Sequence, residues 1–145
     1  MMNTQEVEEK KQHVCAVLLK ENNIHILRRS TNQHESPNLY EFPGGEVNLG
    51  ETHYEALQRH LINTLSINVD LNNMYAFQNN VIDFDGKSIN VIVIRHWENL
   101  ITVNDKFHNK ELEITVEELK EFRDMARPYK EVVPAIIKFL NIPYP

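Results

Sequence analysis

Three of the chain's four glycines, Gly44, Gly45 and Gly50, lie within seven residues of one another. Such clustering marks a loop whose backbone must bend tightly or approach a ligand closely. Glu46 and Glu51 fall in or just behind this loop, where carboxylate oxygens could reach a hard divalent cation. For Glu46 a solvated side chain is the simpler reading. Thr52-x-x-Glu55 follows at once as a capping box, so Glu55 is assigned to a helix start rather than to a metal. On that helix His60 and Asn63 stand at i, i+3. The pair could form a weak transition-metal site, because imidazole suits Zn, Cu, Fe or Ni better than Mg²⁺. Without a carboxylate, a solvated helix face outweighs that reading. Cys15 is the single cysteine, which excludes a disulfide framework and a thiolate zinc site.

The scaffold that positions these groups is one of modest size. A length of 145 residues suits a single domain, and 41% apolar residues suffice for one core. Charged residues at 25% match a globular chain and argue against wholesale disorder. Lys and Arg number 15 against 21 Asp and Glu, a net charge of −6. That balance repels polyanions, so no nucleic acid polymer is expected as a partner. A small nucleotide remains compatible if a metal or a local Arg cluster offsets its charge. No apolar run approaches the roughly 18 residues of a membrane-spanning helix. The polar start MMNTQEVEEKKQ lacks the apolar stretch of a signal peptide. The expectation is one cytoplasmic domain over residues 1–145, with 1–11 as a solvated lead-in and no membrane partner.

Along the chain, His13 to Leu19 is a nearly continuous apolar run, as for a strand buried on both faces. A turn at Glu21-Asn22-Asn23 leads to a returning strand, Ile24 to Arg29. Residues 30–40 read as a polar loop, and Tyr40-Glu41-Phe42 runs into Pro43-Gly44-Gly45. The capped helix carries an apolar stripe of Tyr54, Leu57, Leu61 and Leu65. Met74 to Phe84 and Lys87 to Trp97 read as strands joined by a hairpin at Asp85-Gly86. In 98–113, Ile101-Thr102-Val103 is a candidate strand and the remainder a loop. Thr115-x-x-Glu118 caps a helix over 116–125, Arg127-Pro128 breaks it, and a last helix covers 131–140 with Pro134 near its first turn. This order of strands and helices is an α+β layered domain.

Gly45-x5-Glu51-x7-Arg59 resembles the start of the Nudix box, Gly-x5-Glu-x7-Arg-Glu-U-x-Glu-Glu-x-Gly-U, with U aliphatic. The flanks Arg28-Arg29, Asn38 and Glu41-Phe42-Pro43-Gly44-Gly45 are similar to the MutT-type branch. The resemblance covers most of the chain and implies an α/β/α sandwich, with a mixed sheet between the box helix and the C-terminal helices. It implies hydrolysis of nucleoside triphosphates or diphosphate-linked substrates with Mg²⁺ or Mn²⁺. It also implies that Arg59 pairs with an acidic neighbour. Glu51 is the partner left, provided that the loop folds back. Arg29, Phe42, Gly44 and Gly45 match positions near the substrate, with ordinary core packing an equal reading for Phe42 and a surface charge the alternative for Arg29. Val132 matches the position two residues before the final-helix Pro, where an Asn or Asp would pair with a base.

The second half of the box departs from the family. The frame reads Arg59-His60-Leu61-Ile62-Asn63-Thr64-Leu65-Ser66-Ile67, so the aliphatic positions survive as Leu61 and Ile67. His60, Asn63 and Thr64 replace the three carboxylates that would hold the metal, and Ser66 replaces the glycine. Asn63 and Thr64 offer only neutral oxygens, and Val132 has no side-chain hydrogen bond to give. Phe107-His108 falls where a further family carboxylate would precede a His, with Glu111 and Glu113 nearby. Phosphate attraction is assigned to Arg28, Arg29 and Lys130. Tyr75 and Trp97 are read as core or pocket wall, and His25 and His96 as half-exposed sheet residues. Two functions stay open. One is a MutT-like pyrophosphohydrolase with activity lost or strongly reduced. The other is a non-catalytic module for a small nucleotide or a protein partner, with a homodimer as an option.

Overall fold

The computed structural model describes residues 10–141, so nearly all of the expected lead-in lies outside the described residues. Strand β1 (Lys11–Lys20) is the spine. It pairs antiparallel with β2 (Asn23–Arg29) and β4 (Gly44–Glu46), and parallel with β6 (Lys87–Ile94). The sheet order is β3-β2-β1-β6-β5, where β3 is Tyr40–Glu41 and β5 is Met74–Phe84. Strand β7 (His108–Thr115) pairs antiparallel with β2.

The apolar run in β1 is continuous because helices cover both faces of the sheet. Val14, Ala16 and Leu18 pack with Ala56, Leu57, Leu61 and Leu65 of helix α1 (His53–Leu65). Cys15, Val17 and Leu19 face the other way, toward Leu119 of α2 (Val116–Glu121) and toward Val132 and Ile136 of α3 (Tyr129–Leu140). Strand β6 divides in the same manner, with Ile92 and Ile94 on the α1 side and Ile89, Val91 and Val93 on the other. The result is the α/β/α sandwich with a mixed sheet that the resemblance implies. No helix among the described residues is long and apolar enough to cross a membrane.

Both capping boxes form, on Thr52 with Glu55 and on Thr115 with Glu118. The hairpin at Asp85-Gly86 also forms, with positive φ at both residues (48° and 77°). Several boundaries differ from expectation. Residues 101–103 are not a strand, and the strand lies instead at 108–115, in what reads as loop. β7 carries mostly polar side chains and lies on the outer side of β2, so only Ile114 and partly Leu112 turn to the core and the apolar signal is thin. Strand β6 ends at Ile94, short of Trp97. Helix α2 ends at Glu121, where Phe122 leaves helical geometry and meets the Tyr40 ring edge-on at 5.1 Å. Tyr54 is 37% exposed and lies off the core stripe, where Ala56 is buried instead. Helix α3 starts at Tyr129, so Pro134 falls in its second turn on the exposed side, where water can serve the carbonyl that it leaves without a helix partner.

Strand β5 is an outer strand, and its pairing with β6 breaks between Ala76 and Val81. Asn79 takes positive φ (62°) inside that break, and the Asn80 side-chain amide donates to the Val91 carbonyl at 3.0 Å.

Helix α1 ends on Ser66 in the left-handed region (φ 58°, ψ 26°), where its N–H reaches the Leu61 and Ile62 carbonyls. A residue with a Cβ loses roughly 1–2 kcal/mol in that conformation, and glycine returns part of the gain as unfolded-chain entropy. Ser66→Gly is therefore expected to stabilise the fold by about 0.5–1 kcal/mol. Urea unfolding measures this, and a lowered midpoint would show that the serine side chain contributes to the cap.

Candidate functional site

The glycine loop is set against β1 by close backbone contact. Gly44 lies across from Cys15, and a Cβ there would stand 2.0 Å from the Val14 carbonyl oxygen. Only glycine fits. A Cβ on Gly45 would stand 2.4 Å from the His60 ring. The imidazole thus lies directly on the glycine, and its Nε2 is 2.8 Å from the Glu46 carbonyl oxygen.

Between Glu46 and α1 the loop folds back on itself. Arg59 grips Glu51 with two hydrogen bonds, Nε to Oε2 and Nη2 to Oε1, each 2.8 Å. The Asn48 amide donates to the same Oε1 at 2.8 Å, and Arg59 Nη2 also reaches the Glu46 carbonyl at 3.1 Å. The Arg59 bonds first, and the Asn48 amide second, bring the Glu51 carboxyl down from its ordinary 4.5 to about 2.

Around this pair, the chemistry of the α1 face does not suit Mg²⁺. The Thr64 hydroxyl donates to the His60 carbonyl at 2.7 Å, Asn63 points to solvent, and Glu51 is held by Arg59. His60 is an imidazole committed to the loop backbone. Among the described residues no three His, Cys, Asp or Glu side chains gather as a metal site. Glu46 is exposed, with Oε1 4.0 Å from His13 Nε2. Apart from the exposed Glu46, the donors that stand here are nitrogen or neutral oxygen, or are already paired, which is poor chemistry for a hard octahedral cation.

A cavity of about 280 Å³ opens beside the loop, between Gly44–Glu46 and the start of α3. Its floor holds a buried carboxylate. Glu41, 7% exposed, accepts from Arg29 Nη1 and from His108 Nε2, both at 2.7 Å. Arg29 also donates from Nε to the Glu35 carbonyl at 2.9 Å and from Nη2 to the Gln33 side chain at 3.4 Å. Lys87 and Arg127 stand at the wall, with Tyr129 and His13. Burial, with Glu41 close by, pushes the Tyr129 hydroxyl well above its usual range. Burial first and Lys87 second pull the His13 imidazole down, so it is neutral, and its buried Nε2 lacks a hydrogen-bond partner.

Of the residues that the sequence singles out, Arg29, Gly44, Gly45 and Glu46 meet at this cavity. Glu51, Arg59, His60, Asn63 and Thr64 lie on the α1 side of the loop. Phe42 and Val132 do not reach the cavity: both are fully buried in the core, and Tyr129 meets the Phe42 ring (6.2 Å between centroids). Arg28 is tied to Asn109 at 2.7 Å, and neither Arg28 nor the exposed Lys130 lines this cavity. Cys15 is buried, its thiol pushed up by burial and by Glu41. His25 meets the Trp97 ring edge-on at 5.6 Å, and Trp97 carries Lys20 over its face at 4.4 Å. The sequence reading gave no site role to Glu41, His108, His13, Lys87, Arg127 or Tyr129. Glu41 offered the one local signal, a charge set between Tyr40 and Phe42 in a strand. His108 arrives through the antiparallel β2–β7 pairing, His13 and Lys87 through the parallel β1–β6 pairing, and Arg127 and Tyr129 through the turn before α3.

The depressed Glu51 carboxyl makes this pair stabilising above the ordinary carboxylate range. The contribution falls away as the pH drops from about 4.5 toward 2. Carboxyl-detected NMR should find Glu51 titrating near 2, and Arg59→Met should return the midpoint toward 4.5. An unshifted Glu51 in the unaltered protein would remove the pair from solution.

Comparison with known proteins agrees with this architecture. The family model of the NUDIX domain matches residues 9–136. No match is found among curated protein sequences. Among solved structures, the chain is similar to a MutT from work on Aliivibrio salmonicida and Vibrio cholerae, with TM-score 0.73 and 22% identity over 89% of this chain and 98% of that one. A MutT NUDIX hydrolase from Burkholderia pseudomallei gives TM-score 0.73 and 14% identity over 86% and 95%. A bifunctional NMN adenylyltransferase/ADP ribose pyrophosphatase from Francisella tularensis, complexed with AMP and a Mn ion, gives 0.65 and 16% over 90% of this chain and 42% of that one. With the family model spanning both the glycine loop and the helices that flank the sheet, the chain belongs to the NUDIX domain family.

Proposed function

We propose that this Nudix domain binds a small nucleotide or a related phosphate-bearing molecule and does not turn it over by Mg²⁺-dependent pyrophosphohydrolysis. The observation that carries this reading is the state of the α1 face. Both Glu51 oxygens are held by Arg59, and His60, Asn63 and Thr64 supply no carboxylate. Metal-dependent hydrolysis of a polyphosphate relies on a cation that offsets charge on the reacting oxygens. Losing several kcal/mol of that stabilisation, at about 1.36 kcal/mol per tenfold, lowers the rate by roughly a thousandfold or more. The retained half of the motif has a structural purpose: Glu51 and Arg59 close the loop, and Gly44 lets it lie against β1.

A second reading is a slow pyrophosphatase that uses an atypical metal. It is favoured by family membership and by the MutT neighbours. His60 is the nitrogen ligand that the helix face offers it, yet that ring's Nε2 is bound to the Glu46 carbonyl.

A hydrolysis panel of nucleoside triphosphates and ADP-ribose with Mg²⁺ and with Mn²⁺ separates the two. The expected result is no turnover above that of Glu51→Gln. Metal-dependent turnover that Glu51→Gln abolishes would overturn the proposal. In the same assay series, the triple change His60→Glu, Asn63→Glu and Thr64→Glu is expected to create measurable Mg²⁺ binding by calorimetry. Restored binding need not restore turnover, since Phe107 stands at the further carboxylate position. An unchanged Mg²⁺ affinity in a folded triple variant would show that this helix face is not the family's metal face.

A further inference from the structure

The cavity beside the glycine loop has a surplus of hydrogen-bond donors over acceptors, and that surplus says which end of a ligand it takes. A guanidinium has five N–H donors. Arg29 commits three of them, to Glu41, Glu35 and Gln33, which leaves two. Glu41 is not free to accept from a ligand on equal terms, because each of its oxygens already receives a charge-assisted or imidazole bond. Lys87 and Arg127 line the wall, and among the described residues neither has a carboxylate within ion-pair distance. Arg127 meets only the Phe84 ring, at 5.9 Å. The Tyr129 hydroxyl adds one more donor. The two carboxylates at the cavity that lack an ion pair with Arg or Lys, Glu35 and Glu46, are exposed and screened by water, as Arg127 is, so the half-buried Arg29 and Lys87 are the less screened charges at the cavity.

We infer that the cavity takes the anionic end of its ligand, a phosphomonoester, with the phosphate oxygens turned toward Arg29, Lys87 and Arg127. The ligand would enter phosphate first. That is the reverse of the polarity implied by a metal-bearing helix face, which would draw the phosphates toward α1 instead. The inference rests on the reading that this domain binds its ligand without a metal, and it makes side-chain cations do what the cation would do. Size agrees. About 280 Å³ lies just under the roughly 300–1,000 Å³ of pockets that enclose a drug-sized ligand, so it houses a phosphate and part of its carrier.

Calorimetry with inorganic phosphate, ribose 5-phosphate and adenosine, each without added metal, tests the polarity. Phosphate and ribose 5-phosphate are expected to bind competitively, adenosine not at all. Arg29→Gln leaves Glu41 buried without its cation and can fail to fold, so the wall residues carry the mutational test. Lys87→Ala and Arg127→Ala should each weaken phosphate binding by about three- to tenfold, as for a partly exposed charge pair. In the unaltered protein, the Arg29 Nε–H signal should shift on adding phosphate. Binding of adenosine with no response to phosphate would overturn the inference and leave the binding reading intact. Phosphate affinity unchanged in both alanine variants would also overturn it. Absence of binding by all three probes would sink both, and Mg²⁺-dependent turnover in the hydrolysis panel would remove the metal-free premise and the inference with it.

Discussion

A carboxylate buried as deeply as Glu41 must have partners, because an unpaired charge in that position would cost several kcal/mol. The partners come from far along the chain. Arg29 supplies one from the end of β2, and His108 the other from the start of β7. Three strands, one of them only two residues long, are thus fixed to a common point. The 30–39 loop is fixed with them, since Arg29 reaches on to Gln33 and Glu35, and Ser30 and Gln33 reach the Asp105 and Lys106 carbonyls. Removing Arg29 or His108 would leave Glu41 short of a partner and loosen the floor of the cavity along with the strand junction.

That arrangement explains what was and was not legible in the sequence. The core elements were readable because their signals are local. A continuous apolar run means a doubly covered strand, Thr-x-x-Glu starts a helix, and Asp-Gly turns a hairpin. Gly44 was readable as a close approach, and the structure supplies the contact: the Val14 carbonyl would meet any Cβ. The family motif extended this reading to the whole sandwich. Strand β7 was not legible, because what places it is backbone pairing to β2 and the His108–Glu41 bond, not an apolar stripe. The cavity wall was equally hidden. Lys87 and His13 are 74 positions apart in sequence and meet because β1 and β6 run parallel.

On the proposed reading, the motif keeps its form without its reactive half. Arg59 and Glu51 serve as a clasp on the loop, and that service does not depend on a metal. Their pair needs only the helix start and the Asn48 amide, both present. His60 has taken a second structural duty, covering Gly45 and holding the Glu46 carbonyl. A glutamate restored at that position has no N–H to give the Glu46 carbonyl, so it would give up this loop contact.

The break in β5 bears on how the protein behaves at high concentration. An outer strand with a regular ladder is a template on which a second chain can add, the first step of edge-to-edge aggregation. In β5 the ladder is interrupted between Ala76 and Val81, Asn79 turns the backbone into a conformation that no straight partner matches, and Asp83 puts a charge beyond it. The Asn80 amide meanwhile spends its donor inward on Val91, keeping the interruption tied to its own sheet. With Val81 and Tyr75 both about half exposed on this strand, the irregular backbone is what keeps an apolar edge from becoming an adhesive one.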